Sequence, residues 1–334
     1  MKVLVTGATG FLGRNLTVRL LKEGHEVAIT GRSERVGKTL EEEGAIFEKA
    51  QLEDSDAISG LCRDKDVVFH CAALCSPWGN YRDFYSSNVI GTKNVIHGCK
   101  INNVSRLVNV STSSVYFNHK NQINISEKDK IPPRQVNHYA STKLFAENEI
   151  DKAFNEGLPT ITIRPHAIFG PYDNNIMPRI LRVHKNGKLP LIGKGDNIVE
   201  ITYVGNVVDA LILSMNAPYA SLGNKYNITN GEPMLLRELL EMVFHELGIP
   251  FTPIHIPYNL AFGAAIIMEA LGSLPFIKNE PIVTRYSVGL FSKSFTFDIS
   301  AAKRDLGYKP STTTQQGIKK YARWWKAQDD CMLF

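Results

Sequence analysis

Tyr139 and Lys143 stand four residues apart in a segment whose apolar positions, Leu144, Ala146, Ile150 and Phe154, suit a helix. At that spacing both polar side chains leave the same helix face. A phenol with a reference pKa of about 10 is a poor base near neutrality, but an adjacent ammonium favours its phenolate and lowers that value. The pair has the chemistry of a general acid or base. Upstream, Ser111-Thr112-Ser113-Ser114 follow an apolar strand pattern and offer hydroxyls that can polarise a substrate oxygen, or merely cap a loop.

A second group of residues suits phosphate. Gly7, Gly10 and Gly13, in Gly7-Ala8-Thr9-Gly10-Phe11-Leu12-Gly13, separate the apolar run Val3-Leu4-Val5 from a stripe at Phe11, Leu12, Leu16 and Leu20. Glycines there permit a tight turn, a close approach of pyrophosphate to the backbone and close helix–strand packing, and the helix start supplies N–H groups to the anion. The glycines, the preceding strand and the following helix together predict a bound dinucleotide.

These side chains need a scaffold that brings strand ends together. Strand patterns at residues 3–5, 27–30, 45–48, 66–72, 105–112 and 159–164 alternate with helical or loop segments, which predicts a parallel sheet covered on both faces. The fold class is α/β, a doubly wound parallel sheet with a smaller C-terminal substrate domain. Strand-like patches at 198–203 and 225–229 are expected to return to the sheet around a helix near 205–215. The expected division is residues 1–170 plus 198–230 for the dinucleotide domain and 171–197 plus 231–334 for the substrate domain.

With 334 residues, a formal charge of +5, 43% hydrophobic and 21% charged residues, the chain reads as an ordinary globular protein. Its basic residues are dispersed, which argues against a nucleic-acid groove. The five cysteines form neither a paired Cys-x-x-Cys pattern nor a metal-ligand spacing, so no metal is expected and a reducing cytoplasm is the expected compartment.

The glycine spacing, together with Tyr139-Ala140-Ser141-Thr142-Lys143, His70-Cys71-Ala72-Ala73, Asn88-Val89-x-Gly91-Thr92, Arg164-Pro165 and Thr202-Tyr203-Val204, resembles the extended short-chain dehydrogenase/reductases, the NAD-dependent epimerase/dehydratase superfamily. The resemblance implies a Rossmann domain and a catalytic set of Thr112, Tyr139 and Lys143, with Ser113 as the reserve hydroxyl. Asn88 would be a fourth member, or a buried helix-packing amide. It also implies cofactor contacts from Gly7, Thr9, Gly10, Phe11, Leu12, Gly13, Arg32, Leu52, Ala72, Ala73, Tyr139, Lys143 and Pro165. Gly31-Arg32 stands where an acidic residue would hold the ribose hydroxyls of NAD, so NADP is the expected cofactor and NAD the alternative. The helices near 81–100 and 136–156 resemble those that pair in homodimers of this superfamily.

Ser76-Pro77-Trp78-Gly79, Arg164 to Pro171, Thr284-Arg285 and Asp298 to Tyr308 look like the 3β-hydroxysteroid dehydrogenase and 2-alkyl-3-oxoalkanoate reductase branch. That branch implies interconversion of a 3-hydroxyl and a 3-ketone on an apolar molecule. Ser76, Trp78, Thr112, His166, Phe262 and Arg285 are the candidate substrate contacts, with His166 and His70 read as lining or core imidazoles and not as bases. The run from Leu260 to Leu271 is apolar on every face, which leaves four readings: core helix, substrate lid, membrane-surface helix or, against Glu269, a bilayer span. The rival functions are a nucleotide-sugar epimerase and a non-catalytic NADP-binding protein.

Overall fold

Seven parallel strands form the central layer of the computed structural model, which describes residues 1–274 and 280–332. They are β1 (Lys2–Thr6), β2 (Glu26–Thr30), β3 (Ile46–Phe47), β4 (Val67–His70), β5 (Arg106–Val110), β6 (Thr160–Pro165) and β7 (Lys225–Ile228), in the order β7-β6-β5-β4-β1-β2-β3. The chain winds outward in one direction from β1 to β3 and in the other from β4 to β7. The reversal beside β1 opens a crevice at the carboxyl ends of the strands, where ligands bind in sheets of this kind. Val3, Leu4, Val5, Val67, Val68 and Phe69 are buried, as strands covered on both faces require.

Helices α1 (Phe11–Lys22), α2 (Gly91–Ile101) and α3 (His138–Asn155) cross between strands. Further along lie α4 (Ile176–Val183), α5 (Val204–Met215), α6 (Leu236–Leu247), α7 (Tyr258–Gly272), α8 (Arg285–Leu290) and α9 (Thr314–Met332). Residues 198–199 do not enter the main sheet. They pair antiparallel with Met234–Leu235 and parallel with Phe295, in a small sheet completed by Gln122–Ile125. Alternation predicted the strand but carried no information about its partner.

Helix α7 lies at the surface, with Leu260, Ile267 and Leu271 at 66%, 62% and 51% exposure, which overturns the core reading. Only Ala261, Ala265 and Glu269 are buried, and Glu269 accepts from the Arg285 backbone N–H (2.7 Å) and Nε (2.5 Å). The polar residue inside the apolar run thus has a partner on α8. Among the described residues no helix is long and apolar enough to cross a membrane.

Helix α3 is fixed to the sheet by charge as well as packing. Glu147, one turn beyond Lys143, receives Arg164 Nε at 2.8 Å and Arg164 Nη2, while Arg164 Nη1 donates to the Tyr116 hydroxyl. Both ionic side chains are almost wholly buried, so each is the other's necessary counter-charge. Glu147→Ala should cost about 3–5 kcal/mol in urea unfolding, because it strands a buried guanidinium. The apolar pair Glu147→Leu with Arg164→Met should recover most of the loss; a single variant as stable as wild type would remove the ion pair from this role.

Candidate active site

The turn after β1 is shaped around absent side chains. Gly7 has φ +70°, and a Cβ there would meet Ala72 Cα at 2.6 Å, while a Cβ on Gly13 would fall 2.3 Å from the Gly7 carbonyl oxygen. The first contact closes the turn on the loop after β4, and the second seats α1 on the turn. Gly10 caps α1 without any side-chain hydrogen bond, leaving first-turn N–H groups available to an anion. Among residues expected to hold the cofactor, Gly7, Thr9, Gly10, Phe11, Leu12, Gly13, Arg32, Leu52, Ala72, Ala73, Tyr139, Lys143 and Pro165 all line one continuous cavity of about 750 Å3. The cradle fits a nicotinamide dinucleotide, with pyrophosphate at the glycines and Arg32 at the end of β2.

Thr112, after β5, and Tyr139 and Lys143, on α3, line the same cavity. Asn137 caps α3 by accepting the Ala140 N–H at 2.8 Å, which places Tyr139 in the first turn. The side chains whose polar groups act on the Tyr139 phenol are Thr112, which favours its phenolate, and Cys75, which disfavours it. Ser113 turns the other way, onto His166 Nδ1 at 2.8 Å. The hydroxyl in reach of the tyrosine therefore belongs to Thr112, and the reserve candidate is engaged elsewhere.

Lys143 is almost fully buried and donates to the Val110 carbonyl at 2.7 Å. Burial lowers its pKa to about 8 against the opposing charges of Glu147, Cys75 and Cys71. Burial, and then the neighbouring Cys75 thiol, push the Tyr139 phenol well above its ordinary value. This corrects the expectation that the nearby ammonium would lower it. In this cavity the desolvation of a phenolate outweighs the attraction, so Tyr139 holds its proton.

Asn88 occupies a π-type turn at Ser86–Ile90 between two helical stretches. Its side chain accepts from Leu74 N–H (2.7 Å) and donates to the Leu74 carbonyl (3.2 Å) and Thr142 Oγ1 (3.0 Å). With that amide engaged on every side, the buried-amide alternative is the one its geometry favours: it fastens the loop after β4 to α3. His70 bridges Thr6 Oγ1 (2.8 Å) and Thr92 Oγ1 (3.0 Å), and burial followed by the Lys143 charge lowers its pKa to about 3. His166 is lowered by burial to about 3 and packs against Phe295 and Phe297. Both are neutral imidazoles.

Of the expected substrate contacts, Ser76, Thr112 and His166 line the cavity, whereas Trp78, Phe262 and Arg285 do not. Phe262 stacks on Tyr258 (5.4 Å between centroids) and meets His119 edge-on, and Arg285 is held by Glu269. Helix α7 contributes no described residue to the cavity lining. The apolar part of the lining comes instead from Met177 and Ile180 of α4, Ile201, Leu239, Leu240 and Val243 of α6, and Phe291. Cys75, Tyr286 and Arg179 also line the cavity without having been singled out from sequence. Leu236, Leu239, Leu240 and Val243 carry a helical apolar spacing that marked a buried face, but not that the face borders a ligand.

Comparison with known proteins agrees with this geometry. The chain is 33% identical over 325 residues to a 2-alkyl-3-oxoalkanoate reductase of Stenotrophomonas maltophilia, covering 96% of this chain and 98% of that protein. It is 30% identical over 328 residues to a decarboxylating sterol-4-alpha-carboxylate 3-dehydrogenase of Mus musculus, covering 96% and 89%. In structure it resembles UDP-glucuronic acid 4-epimerase from Bacillus cereus in complex with NAD, with a TM-score of 0.78, 23% identity and coverage of 98% and 99%, a likeness of fold alone. Residues 3–229 match the NAD dependent epimerase/dehydratase family, spanning the glycine turn, the tyrosine–lysine helix and the seventh strand, and the chain belongs to that family.

Proposed function

We propose that this enzyme, an oxidoreductase using a nicotinamide cofactor, reduces a 3-oxo group on an apolar, steroid-like or long-chain acyl molecule to the 3-hydroxyl, and can run the reverse oxidation. The observation that carries the reading is the position of Thr112 and Tyr139 in one cavity with the glycine cradle and an apolar stretch of lining. The cofactor supplies the hydride when bound. Tyr139 donates its proton to the carbonyl oxygen, Thr112 donates a hydrogen bond to the same oxygen, and Lys143 holds the nicotinamide ribose. A phenol kept protonated by burial suits the reducing direction. Asn88 acts as a positioning residue, through the loop at Leu74. Residues 1–170 plus 198–230 hold the cofactor in this reading, and residues 171–197 plus 231–334 contribute the substrate side.

Met177, Ile180, Leu239, Leu240 and Val243 in the lining favour an apolar substrate over a nucleotide sugar, with Asn174, Asn175 and the Glu280-bound Arg179 as the polar groups beside them, and the intact Tyr139/Lys143 pair argues against a silent cofactor-binding protein. Tyr139→Phe should lower kcat by roughly two to four orders of magnitude while cofactor affinity persists. Steady-state kinetics with 3-oxo substrates, beside a cofactor titration, checks this; near-normal turnover would remove Tyr139 from the chemistry.

NADP is the cofactor we assign. Arg32 is exposed at the cavity edge with no ion pair among the described residues, whereas Lys38 is drawn to Glu34 at 3.6 Å. Arg32→Asp should weaken NADPH binding by roughly 10–100-fold and improve NADH relative to it, because a charge-assisted contact becomes repulsion. Fluorescence titration of both cofactors decides it, and a wild-type preference for NADH would overturn the assignment.

The proposed setting is a cytoplasmic homodimer with weak contact to membrane surfaces. Tyr81 and Phe145 are exposed aromatic residues at the helices expected to pair, and the apolar outer face of α7 suits a lipid interface. Light scattering should give twice the chain mass at micromolar concentration, and sedimentation with neutral vesicles should carry down a minor fraction. A monomer that leaves vesicles bare would reject both.

A further inference from the structure

The Thr112 hydroxyl is the start of a row of hydrogen bonds. Thr112 Oγ1 donates to Ser114 Oγ at 3.0 Å, and Ser114 Oγ lies 2.8 Å from the hydroxyl of Tyr286. Three hydroxyls, Thr112, Ser114 and Tyr286, thus form one row along the wall of the cavity that Tyr139 also lines. The proposed carbonyl chemistry needs only Tyr139 and Thr112.

Tyr286 reaches the row from a segment remote from the sheet, and that segment is held firmly. Thr284 and Ser287 cap α8 reciprocally, and Glu269 of α7 binds the backbone and side chain of Arg285. The Tyr286 ring rests edge-on against Phe117, with centroids 5.8 Å apart. The position of its hydroxyl is therefore set by packing that does not depend on the hydroxyl itself.

Each hydroxyl has one proton to give, so a row of them has a direction. As the row stands, Thr112 gives its proton to Ser114 and has none for a carbonyl. To donate to a substrate, Thr112 must turn its proton into the cavity and accept from Ser114 instead. Ser114 has then spent its own proton, and its oxygen is completed by a donor on the far side. Tyr286 is the group at that position, and burial raises its pKa to about 12, so it keeps a proton to give.

We propose that Tyr286 is a positioning residue which, by donating to Ser114, turns the hydroxyl row so that Thr112 presents its proton to the substrate carbonyl. Hydrogen bonds aligned in one direction polarise one another, so the Thr112 donor is strengthened as well as aimed. The inference rests on the proposed ketone reduction and adds to it a residue that acts through Ser114 and Thr112.

The test uses the full-length enzyme with saturating reduced cofactor and a 3-oxo substrate. Tyr286→Phe keeps the ring against Phe117 and removes only the donor. It should lower kcat by about 5- to 30-fold, with KM, cofactor affinity and melting temperature nearly unchanged. Ser114→Ala should give a similar loss, and the double variant should be no slower than the worse single one, since both break the same row. Unchanged kcat in Tyr286→Phe, additive losses, or a loss matched by a fall in melting temperature would each overturn the relay while leaving the ketone reduction standing. A wild-type enzyme that reduces no 3-oxo compound would overturn the reduction, and the relay with it.

Discussion

A cation buried beside the reacting groups is the constraint around which this site is built. Lys143 has little water around it, and isolated burial of an ammonium is costly enough that its pKa falls to about 8. Its hydrogen bond goes to the Val110 carbonyl at the end of β5, and the charge that does most to keep it protonated near neutrality is the carboxylate of Glu147 one turn along α3. That carboxylate is itself buried and is answered by Arg164 on β6, which is answered in turn by the Tyr116 hydroxyl. Positions 139, 143 and 147 recur every four residues, so one helix face carries the acid, the ammonium and the anchor. The row ties α3 to the ends of β5 and β6 and thereby sets where the phenol sits relative to the sheet.

An apolar version of that row would pack at least as well, because buried ion pairs return little net stability over matched hydrophobic groups. The charges are accounted for by what they position. The same reasoning covers the second polar seam, Thr6, His70, Thr92 and Asn88, which runs between β1, β4 and the helical segment after β4. It ends on Leu74, in the loop whose Ala72 closes on Gly7. The glycine turn and α3 are thus joined by hydrogen bonds that leave no ring nitrogen of His70 unpaired.

The parts of this arrangement visible in sequence are those written at short range. Gly7, Gly10 and Gly13 betray a turn because their spacing is local, and Tyr139 and Lys143 declare a shared face because a helix repeats every 3.6 residues. The strands of the sheet were legible for the same reason, down to the segment 225–229 as a late addition. Cys75, Ser114 and Tyr286 are far apart in the chain and meet only because α8 and the loop after β4 converge on the end of β5. No local pattern announces that. Helix α7 misled for the converse reason: continuous apolarity specifies that a face wants company, not what covers it. Phe262 is expected at the substrate on that ground and Arg285 on the resemblance carried by Thr284-Arg285, and both are engaged with α7 and its neighbours instead. Trp78 fails on a finer scale, since Ser76 and Pro77 of the same loop do line the cavity.

The two desolvation effects in the cavity act in one sense on the acid–base pair. Burial disfavours the phenolate of Tyr139, and it also disfavours the ammonium of Lys143, so the separated ion pair is penalised from both ends. An enzyme that had to abstract a proton from an alcohol in its resting state would need that phenolate. One that protonates an alkoxide forming at a ketone needs the neutral phenol, with a donor hydroxyl beside it and an apolar wall to keep water away. The apolar part of the lining supplies the wall, through side chains such as Ile180, Leu240 and Phe291. The apolar lining and the protonated phenol belong to one cavity, and burial is what favours the neutral form there.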